Sequence, residues 1–188
     1  MKDDFKFIAR IYDRIIRPKD EISWQKLICQ SNTGTRLLDV GGGTGRIAET
    51  INDCFEMIVI YDASVPMLQK AKSKKFNPVR VCGECENLAF AKNYFDVIIM
   101  VDTLHHVINH QQAILSILKV LKRGGIFVLE EPDIRKFPIK IIAIMEKLML
   151  MRSHFLKPEE IIQWIDKGMF TSKFFEEDNN FYFVIEKM

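Results

Sequence analysis

The chain has 188 residues, of which 48% are apolar and 28% charged, and its formal net charge is +2. A chain of this length and composition can bury a core as one domain without support from a metal or a disulfide. The near-neutral charge neither indicates nor excludes a polyanionic partner such as RNA. No apolar run reaches the roughly 18 residues that cross a bilayer, and the charged N-terminus lacks the apolar core of a signal peptide. A cytoplasmic location is therefore the simplest expectation.

The four cysteines do not indicate a metal site or a disulfide framework. Cys82 and Cys85 form one CxxC pair, whereas Cys29 and Cys54 lack the spacing of a second pair. Because a zinc site built from cysteines normally needs four protein ligands, we expect no metal. The cysteines are also too few and too scattered for the framework of a small secreted protein.

The first 33 residues are predicted to be helical. Apolar residues recur at helical spacing between Phe5 and Ile16, and Pro18 ends that pattern. A second helix is predicted from about Asp20 to Gln30.

From residue 35 onward, β-rich runs alternate with helical patterns. The predicted strands are 36–40, 56–62, 79–82, 95–101 and 125–131, and the predicted helices between them are 44–53, 65–74 and 110–121. The strand runs are apolar at consecutive positions, which suits strands that helices cover on both sides. The sequence therefore predicts an α/β fold of the doubly wound, Rossmann-like type, a three-layer sandwich around a mostly parallel sheet.

The last third of the chain carries two helical patterns and a hairpin. An apolar helix is predicted over 138–151, and another helix starts near Pro158 and ends at Gly168. Two β-rich runs, 172–177 and 181–187, then flank a polar turn and predict a closing antiparallel hairpin. Residues 34–188 are thus expected to form one core, with 133–156 as an insertion after the fifth strand.

The most informative segment is LLDVGGGTGRIAET (37–50), in which a buried strand runs through a glycine-rich turn into a helix. Glycines at Gly41, Gly43 and Gly45 let the backbone turn tightly and approach a ligand closely. A carboxylate, Asp62, ends the second strand, where it can accept hydrogen bonds from ribose hydroxyls. The segment therefore predicts a nucleoside-containing ligand, although a tight strand-to-helix turn is the alternative.

The spacing of the glycines indicates which nucleoside cofactor is expected. A dinucleotide fingerprint beginning at Gly41 needs glycine at position 46, but the residue there is Arg46. This argues against a nicotinamide-dependent oxidoreductase, which stays an alternative. The GxGxG spacing, preceded by Asp39, instead resembles motif I of the class I S-adenosylmethionine-dependent methyltransferases. The resemblance continues through residues 61–71, 83–90, 95–107 and 118–132 to the C-terminal helix and hairpin, which match the last two strands of a seven-stranded sheet.

The resemblance implies a set of cofactor-binding residues. Gly41, Gly43 and Gly45 would surround the methionine part of S-adenosylmethionine, Asp62 would hold the ribose, and Glu84 with Cys85 would meet the adenine edge. The full predicted set is Asp39, Gly41, Gly43, Gly45, Asp62, Ala63, Met67, Glu84, Cys85, Asp102 and Tyr12. Core packing is the alternative for Met67, Cys85 and Tyr12. The opening helix, which carries Tyr12, would act as a lid over the cofactor.

The methyl acceptor is expected beyond the fourth strand. The sequence there, VDTLHHV, lacks the Asn or Asp, prolines and aromatic residue of the base N-methylating relatives, so a nucleic-acid partner is not expected. It instead resembles the small-molecule, quinone-biosynthesis-like group. His105 or His106 is a candidate general base, and a structural role in the following turn is the alternative. Glu130, Glu131 and Asp133 end the fifth strand on the same side and could bind an amine or a cation.

The apolar residues of 138–151 exceed one helical face, which predicts a lid over an apolar acceptor, a homodimer contact or a membrane contact. The predicted function is methyl transfer to a small, lipophilic acceptor, and the alternative is a non-catalytic module that binds the cofactor.

Overall fold

The computed structural model describes residues 28–29, 36–72, 76–148, 151 and 153–188. The helices predicted before residue 33 lie outside these residues except for Ile28 and Cys29, and Tyr12 lies outside them too. The strands are β1 Arg36–Val40, β2 Met57–Asp62, β3 Val79–Cys82, β4 Phe95–Val101, β5 Leu121–Pro132, β6 Phe170–Glu177 and β7 Asn180–Lys187. The helices are α1 Arg46–Thr50, α2 Val65–Ala71, α3 His110–Val120, α4 Phe137–Leu148 and α5 Pro158–Ile162. Short 3₁₀ turns cover Asn52–Cys54, Cys85–Asn87 and Leu104–His106.

The seven strands form one sheet in the order β3-β2-β1-β4-β5-β7-β6. Strands β1 to β5 are parallel to their neighbours, β7 is antiparallel to β5, and β6 is antiparallel to β7. The predicted doubly wound sheet with a C-terminal hairpin is confirmed. The chain builds outward from β1 to β3 and then returns to place β4 on the other side of β1, so the strand order reverses between β1 and β4. Ligands in such sheets bind at this reversal, beyond the carboxyl ends of the strands.

Both faces of the central strands are buried, which explains their continuous apolar runs. In β4, Ile98 and Met100 pack into the hydrophobic cluster on one face, whereas Val97 and Ile99 pack into the cluster on the other. All four side chains are inaccessible to solvent. This burial on two sides is the environment that parallel strands require.

Strand β5 begins four residues before the predicted start. Leu121 pairs with Phe95, and the next pairing joins Ile126 to Val97, so the register shifts between them. Gly124 in the intervening segment has φ +72. The predicted strand starts at the glycine pair 124–125, but the backbone already pairs from Leu121 and passes these glycines through a bulge.

One disulfide joins Cys29 to Cys54, with 5.8 Å between their Cα atoms. The cysteine spacing did not predict this bond, because the two residues are 25 positions apart and no local pattern relates them. The fold brings Cys29 against the 3₁₀ turn Asn52–Cys54, which follows α1. Within the described part of the chain, no helix combines the length and the apolar character needed to cross a membrane.

Phe127 is expected to be a main contributor to the stability of the sheet. Its side chain is inaccessible to solvent, and its strand lies between β4 and β7. Phe127→Ala should lower the free energy of unfolding by about 3–5 kcal/mol, because a large cavity is left in the core. Urea unfolding measures the change, with the exposed Lys173→Ala on β6 as the control. A loss below about 1 kcal/mol for Phe127→Ala would contradict the expected core position.

Candidate active site

A cavity of about 360 Å³ lies at the carboxyl ends of β1, β2, β3 and β4. Its wall includes the glycine loop after β1, Asp62 to Ser64 after β2, Gly83 to Glu86 after β3 and Asp102 to Thr103 after β4. Four loops meet here because the strands are parallel and adjacent in the sheet. The cavity therefore occupies the position that the strand order predicts for a ligand.

The glycine loop depends on backbone conformations that favour glycine. Gly41, Gly43 and Gly45 have φ values of 70, 53 and 75. A Cβ on Gly41 would lie 2.1 Å from Thr103 Cγ2, and a Cβ on Gly45 would lie 2.6 Å from Ile60 Cδ1. Gly45 thus serves packing against β2, and it is absent from the cavity wall formed by the described residues.

Gly43 is the glycine whose missing side chain leaves room beside the acidic residue of β2. A Cβ on Gly43 would lie 3.8 Å from both Asp62 Oδ2 and Met67 Cε. The Gly43 amide donates to Asp62 Oδ2 at 2.9 Å, and the Ser64 amide donates to Asp62 Oδ1 at 2.7 Å. The carboxylate therefore joins the first two loops while it lines the cavity.

Asp39 places a second carboxylate on the cavity wall, at the end of β1. Its side chain is almost completely buried, and its Oδ2 atom has no hydrogen-bond partner among the described residues. The pKa of Asp39 is raised to about 7, mainly by burial and also by the nearby Asp62, whereas Arg46 acts to lower it. A buried carboxylate oxygen without a partner indicates a ligand that donates a hydrogen bond or carries positive charge.

The other predicted cofactor residues also reach the cavity. Ala63, Met67, Glu84, Cys85 and Asp102 all belong to its wall. Burial and the neighbouring Glu86 raise the pKa of the Cys85 thiol far above its usual range, so this thiol stays protonated. Thiolate chemistry is therefore not expected of Cys85, which is a half-buried residue of the cavity wall.

Arg46 and Asp102 form an ion pair across the cavity wall, with 3.8 Å between Nη2 and Oδ2. Asp102 has φ +48, a conformation that is uncommon for a residue with a side chain. Such conformations cluster at functional sites because the surrounding structure must hold them. The sequence identified Arg46 only as evidence against a dinucleotide, and its place in the wall was not predicted.

A buried carboxylate from β5 organises the turn after β4. Glu131 accepts hydrogen bonds from the amides of Thr103 (2.8 Å), Leu104 (2.6 Å) and His105 (3.3 Å). The same carboxylate lies 2.6 Å from His105 Nδ1. Glu131 therefore holds both the backbone and the first histidine, which explains why an acidic residue ends this strand.

The two adjacent histidines differ in their surroundings. His105 is 4% exposed, its ring stacks on Phe155, and it is absent from the described cavity wall. Burial opposes protonation of His105, but Glu131 raises its pKa above the usual value. His106 does line the cavity, and burial, with His105 beside it, lowers the pKa of His106 to about 3. His106 is thus neutral near neutral pH.

Glu130 and Asp133 are the other acidic candidates at the end of β5. Neither belongs to the cavity wall that the described residues form. Glu130 is completely buried and accepts a hydrogen bond from Asn180 Nδ2. Asp133 is also buried, and its Oδ2 accepts from Arg135 Nη2 at 2.8 Å. The positions of both residues in the structure are explained by these contacts.

Glu86 belongs to the cavity wall but was not predicted. Its Oε1 accepts from the amides of Ile108 and Asn109 at 3.2 and 3.3 Å. It thereby connects the loop after β3 to the segment that precedes α3. The signal that could have found Glu86 is its place in GECE, two residues after Glu84.

Comparison with known proteins agrees with this geometry. Residues 38–129 match the model of a methyltransferase domain family. The chain is 34% identical over 113 residues to the ubiquinone/menaquinone biosynthesis C-methyltransferase UbiE of Coxiella burnetii, covering 55% of this chain and 45% of that protein. It is 29% identical over 177 residues to the chloroplastic 2-methyl-6-phytyl-1,4-hydroquinone methyltransferase of Spinacia oleracea, covering 88% of this chain and 49% of that protein. The chain belongs to the class I S-adenosylmethionine-dependent methyltransferases.

Solved structures of methyltransferases share the fold over nearly the whole chain. The structure superimposes on an S-adenosylmethionine-dependent methyltransferase from Thermotoga maritima with a TM-score of 0.78 and 21% identity, covering 98% of this chain and 99% of that one. An S-adenosylmethionine-dependent methyltransferase from Clostridium acetobutylicum gives a TM-score of 0.72 and 18% identity, covering 98% and 99%. The chain spans about half the length of the curated relatives it matches.

S-adenosylmethionine is the cofactor of this family, and the cavity fits it. The unpartnered oxygen of Asp39 suits a ligand ammonium group, and the Asp62 carboxylate suits ribose hydroxyls. Gly43 leaves open the space beside Asp62 and Met67. Two carboxylates on one wall also favour a ligand that carries a positive sulfonium.

Asp39 should make the stability of the cofactor-free methyltransferase depend on pH. Its folded-state pKa of about 7 lies above the ordinary value of 3.8, so the folded protein binds this proton more tightly than the unfolded chain does. The stability from this proton is present below about pH 4 and is lost as the pH rises through about 7. Asn cannot ionise, so the free energy of unfolding of Asp39→Asn, relative to the wild type, should increase by about 2 kcal/mol from about pH 5 to about pH 7. Urea unfolding of both proteins measures this difference, and parallel pH curves would contradict it.

Proposed function

We propose that this methyltransferase moves the methyl group of S-adenosylmethionine to a small acceptor of apolar character. The observation that carries the proposal is the pair of carboxylates, Asp39 and Asp62, that line one cavity together with the glycine loop. Asp39 would hold the amino group of the cofactor and Asp62 its ribose. Met67 would pack against the nucleoside, and Glu84 with Cys85 would meet the adenine edge.

The bound cofactor supplies an electrophilic methyl group, and the acceptor supplies the electron pair. The residues of this chain therefore have two tasks, which are to hold the acceptor in line with the methyl group and to exclude competing water. The cavity continues past the cofactor-binding corner to His106, Val107 and Ile108 after β4. We assign this end to the acceptor.

The apolar character of the acceptor rests on three observations. Val107 and Ile108 contribute apolar surface to the cavity wall. Helix α4 carries exposed apolar side chains, and Ile139 is its buried residue; the exposed ones are Phe137, Ile141, Ile142, Ile144, Met145 and Leu148. Of the two curated relatives described above, one is named as a C-methyltransferase of ubiquinone/menaquinone biosynthesis and the other as a hydroquinone methyltransferase. A hydroquinone or phenol with an apolar tail is therefore the first acceptor class to test.

The role of α4 as a lid over the acceptor remains part of the proposal, since no described residue of α4 lines the cavity. The segment that follows α4 does reach the histidine turn. Ser153 Oγ lies 3.2 Å from His106 Nδ1, and the His154 amide donates to the His105 carbonyl at 2.6 Å. The insertion thus meets the acceptor end of the cavity through this segment.

The basicity of the two histidines limits their use as a general base. With its pKa lowered to about 3, His106 is a poor proton acceptor although it lines the cavity. His105 is more basic, and Glu131 orients it. Within the proposed function, His105 is the more basic histidine but does not line the described cavity, and His106 positions the acceptor.

Methyl transfer itself is tested with a pair of acceptors. The protein is incubated with S-adenosylmethionine and either a 1,4-hydroquinone or the same ring with a prenyl tail, and S-adenosylhomocysteine is quantified. We expect turnover that is at least about tenfold faster at low concentration with the tailed ring, because a short apolar tail buries enough surface to gain more than 1.4 kcal/mol. Binding of the cofactor without transfer to either ring would favour a non-catalytic module. Equal rates for both rings would contradict an apolar acceptor site.

Asp62→Ala tests the cofactor-binding corner. The substitution removes the charged acceptor for the ribose hydroxyls and also frees the Gly43 and Ser64 amides, so binding of S-adenosylmethionine should weaken by on the order of 1 to 3 kcal/mol. Calorimetric titration measures the dissociation constant. Glu56→Ala, an exposed substitution just before β2, is the matched control. An unchanged dissociation constant for Asp62→Ala would refute the ribose contact.

A further inference from the structure

Three potential metal ligands meet where the turn after β4 approaches helix α4. The side chains of His105, His106 and Glu146 each offer one ligand atom, and these atoms all lie within 4.8 Å of one another. We call these three side chains the histidine–glutamate cluster. Two of them follow β4 and the third lies on α4, so the fold and not the local sequence brings them together.

His105 already has the arrangement of an oriented metal ligand. Its Nδ1 lies 2.6 Å from Glu131 Oε2, which leaves Nε2 as the nitrogen that can face an ion. In metal sites a ligating histidine usually donates its other ring proton to a carboxylate or carbonyl, because this fixes the tautomer and increases the basicity of the ligand nitrogen. Glu131 is itself fixed by three backbone amides.

Glu146 supplies an observation that the methyl-transfer proposal does not use. Its Oε2 is buried, and no hydrogen-bond partner for it exists among the described residues. A buried carboxylate oxygen without a partner carries a large desolvation cost. A cation between Glu146 and the two imidazoles would satisfy this oxygen.

We propose that the histidine–glutamate cluster binds one divalent transition-metal ion of the zinc or ferrous class. Two imidazole nitrogens and one carboxylate oxygen are the ligand set that these ions accept with further positions open. Zinc with bonds of about 2.0 to 2.2 Å needs ligand atoms about 3.3 Å apart, so side-chain rotation must close the cluster by up to about 1.5 Å.

The position of the cluster assigns a role to the ion, and this role rests on the proposed function. His106 belongs to the wall at the acceptor end of the cavity, so an open position of the ion faces the acceptor. There the ion would bind a hydroxyl oxygen of the acceptor and favour loss of its proton to water. The ionised oxygen then provides the electron pair for methylation, and no histidine has to act as the base.

Cobalt is the probe for the metal site, because its visible absorption reports coordination directly. The full chain, free of cofactor, is titrated with Co²⁺, and we expect one saturable equivalent whose absorption is lost when Zn²⁺ displaces the Co²⁺. Glu146→Gln keeps the size of the side chain and should weaken Co²⁺ binding at least tenfold. Glu131→Gln should weaken it by about 10- to 100-fold, as expected for a residue that orients a ligand.

Two control variants test whether the cluster itself holds the ion. Glu56→Gln changes an exposed carboxylate, and His110→Asn changes a nearby histidine outside the cluster. Both should bind Co²⁺ like the wild type. If Glu146 serves only as an ion-pair partner of protonated His105, the wild type will show no saturable Co²⁺ absorption, and the proposal is overturned. It is also overturned if Glu146→Gln binds Co²⁺ normally, or if His110→Asn alone abolishes binding.

Calorimetric titration with S-adenosylmethionine keeps this test independent of the proposed function. Cofactor binding that is unchanged in Glu146→Gln shows that the variant is folded. A protein that binds the cofactor but no Co²⁺ refutes the metal site alone. A protein that binds Co²⁺ but no cofactor refutes the proposed methyl transfer alone.

Discussion

The carboxylate of Asp62 is the constraint on which the cofactor-binding corner depends. It accepts from the Gly43 amide in the loop after β1 and from the Ser64 amide in the loop after β2. The two loops start side by side because Val40 and Tyr61 pair in the parallel register of β1 and β2. One charged group therefore fixes the shape of the cavity and presents negative charge to it. Glycine suits position 43 because its φ is +53 and because a Cβ there would lie 3.8 Å from Asp62 Oδ2, in the space beside the carboxylate.

A second carboxylate has the corresponding task at the turn after β4. Glu131 stands on β5 and holds three successive amides of the turn after β4, together with the ring of His105. A buried carboxylate is stable in such surroundings because several donors replace the water it has lost. Asp62 and Glu131 thus have the same structural role. Each is an acidic residue at a strand end that accepts hydrogen bonds from the backbone of a neighbouring loop.

Much of the fold follows from the sequence, because local signals determine it. The runs at 36–40 and 95–101 match β1 and β4, since strands covered on both faces need continuous apolar residues. The run at 79–82 matches β3, which lies at the edge of the sheet. The sequence predicts that β5 starts at Gly125, because glycines bound the β-rich runs. The long-range pairing of Leu121 with Phe95 extends the strand, and no local pattern reports such a pairing.

The candidate site was predictable where residues follow strand ends. Asp39, Asp62, Glu84 and Asp102 reach one cavity because parallel strands bring their carboxyl ends to the same edge. Contacts between distant segments could not be predicted. The bond from His105 to Glu131 spans 26 residues, and the approach of Glu146 depends on how α4 returns to the sheet. Gly45 differs from these residues, because its position in the motif predicts a ligand contact whereas the structure packs it against Ile60.

The two carboxylate-held loops also divide the cavity between separate stretches of the chain. The groups assigned to the cofactor lie between Asp39 and Asp102, whereas the histidine turn is supported by Glu131 and by residues 153–155. Recombination between homologues with a crossover after β4 would therefore exchange one compartment and leave the other intact. Exchange of the segment after β4 can therefore change the substrate range, while the residues assigned to the cofactor are inherited unchanged.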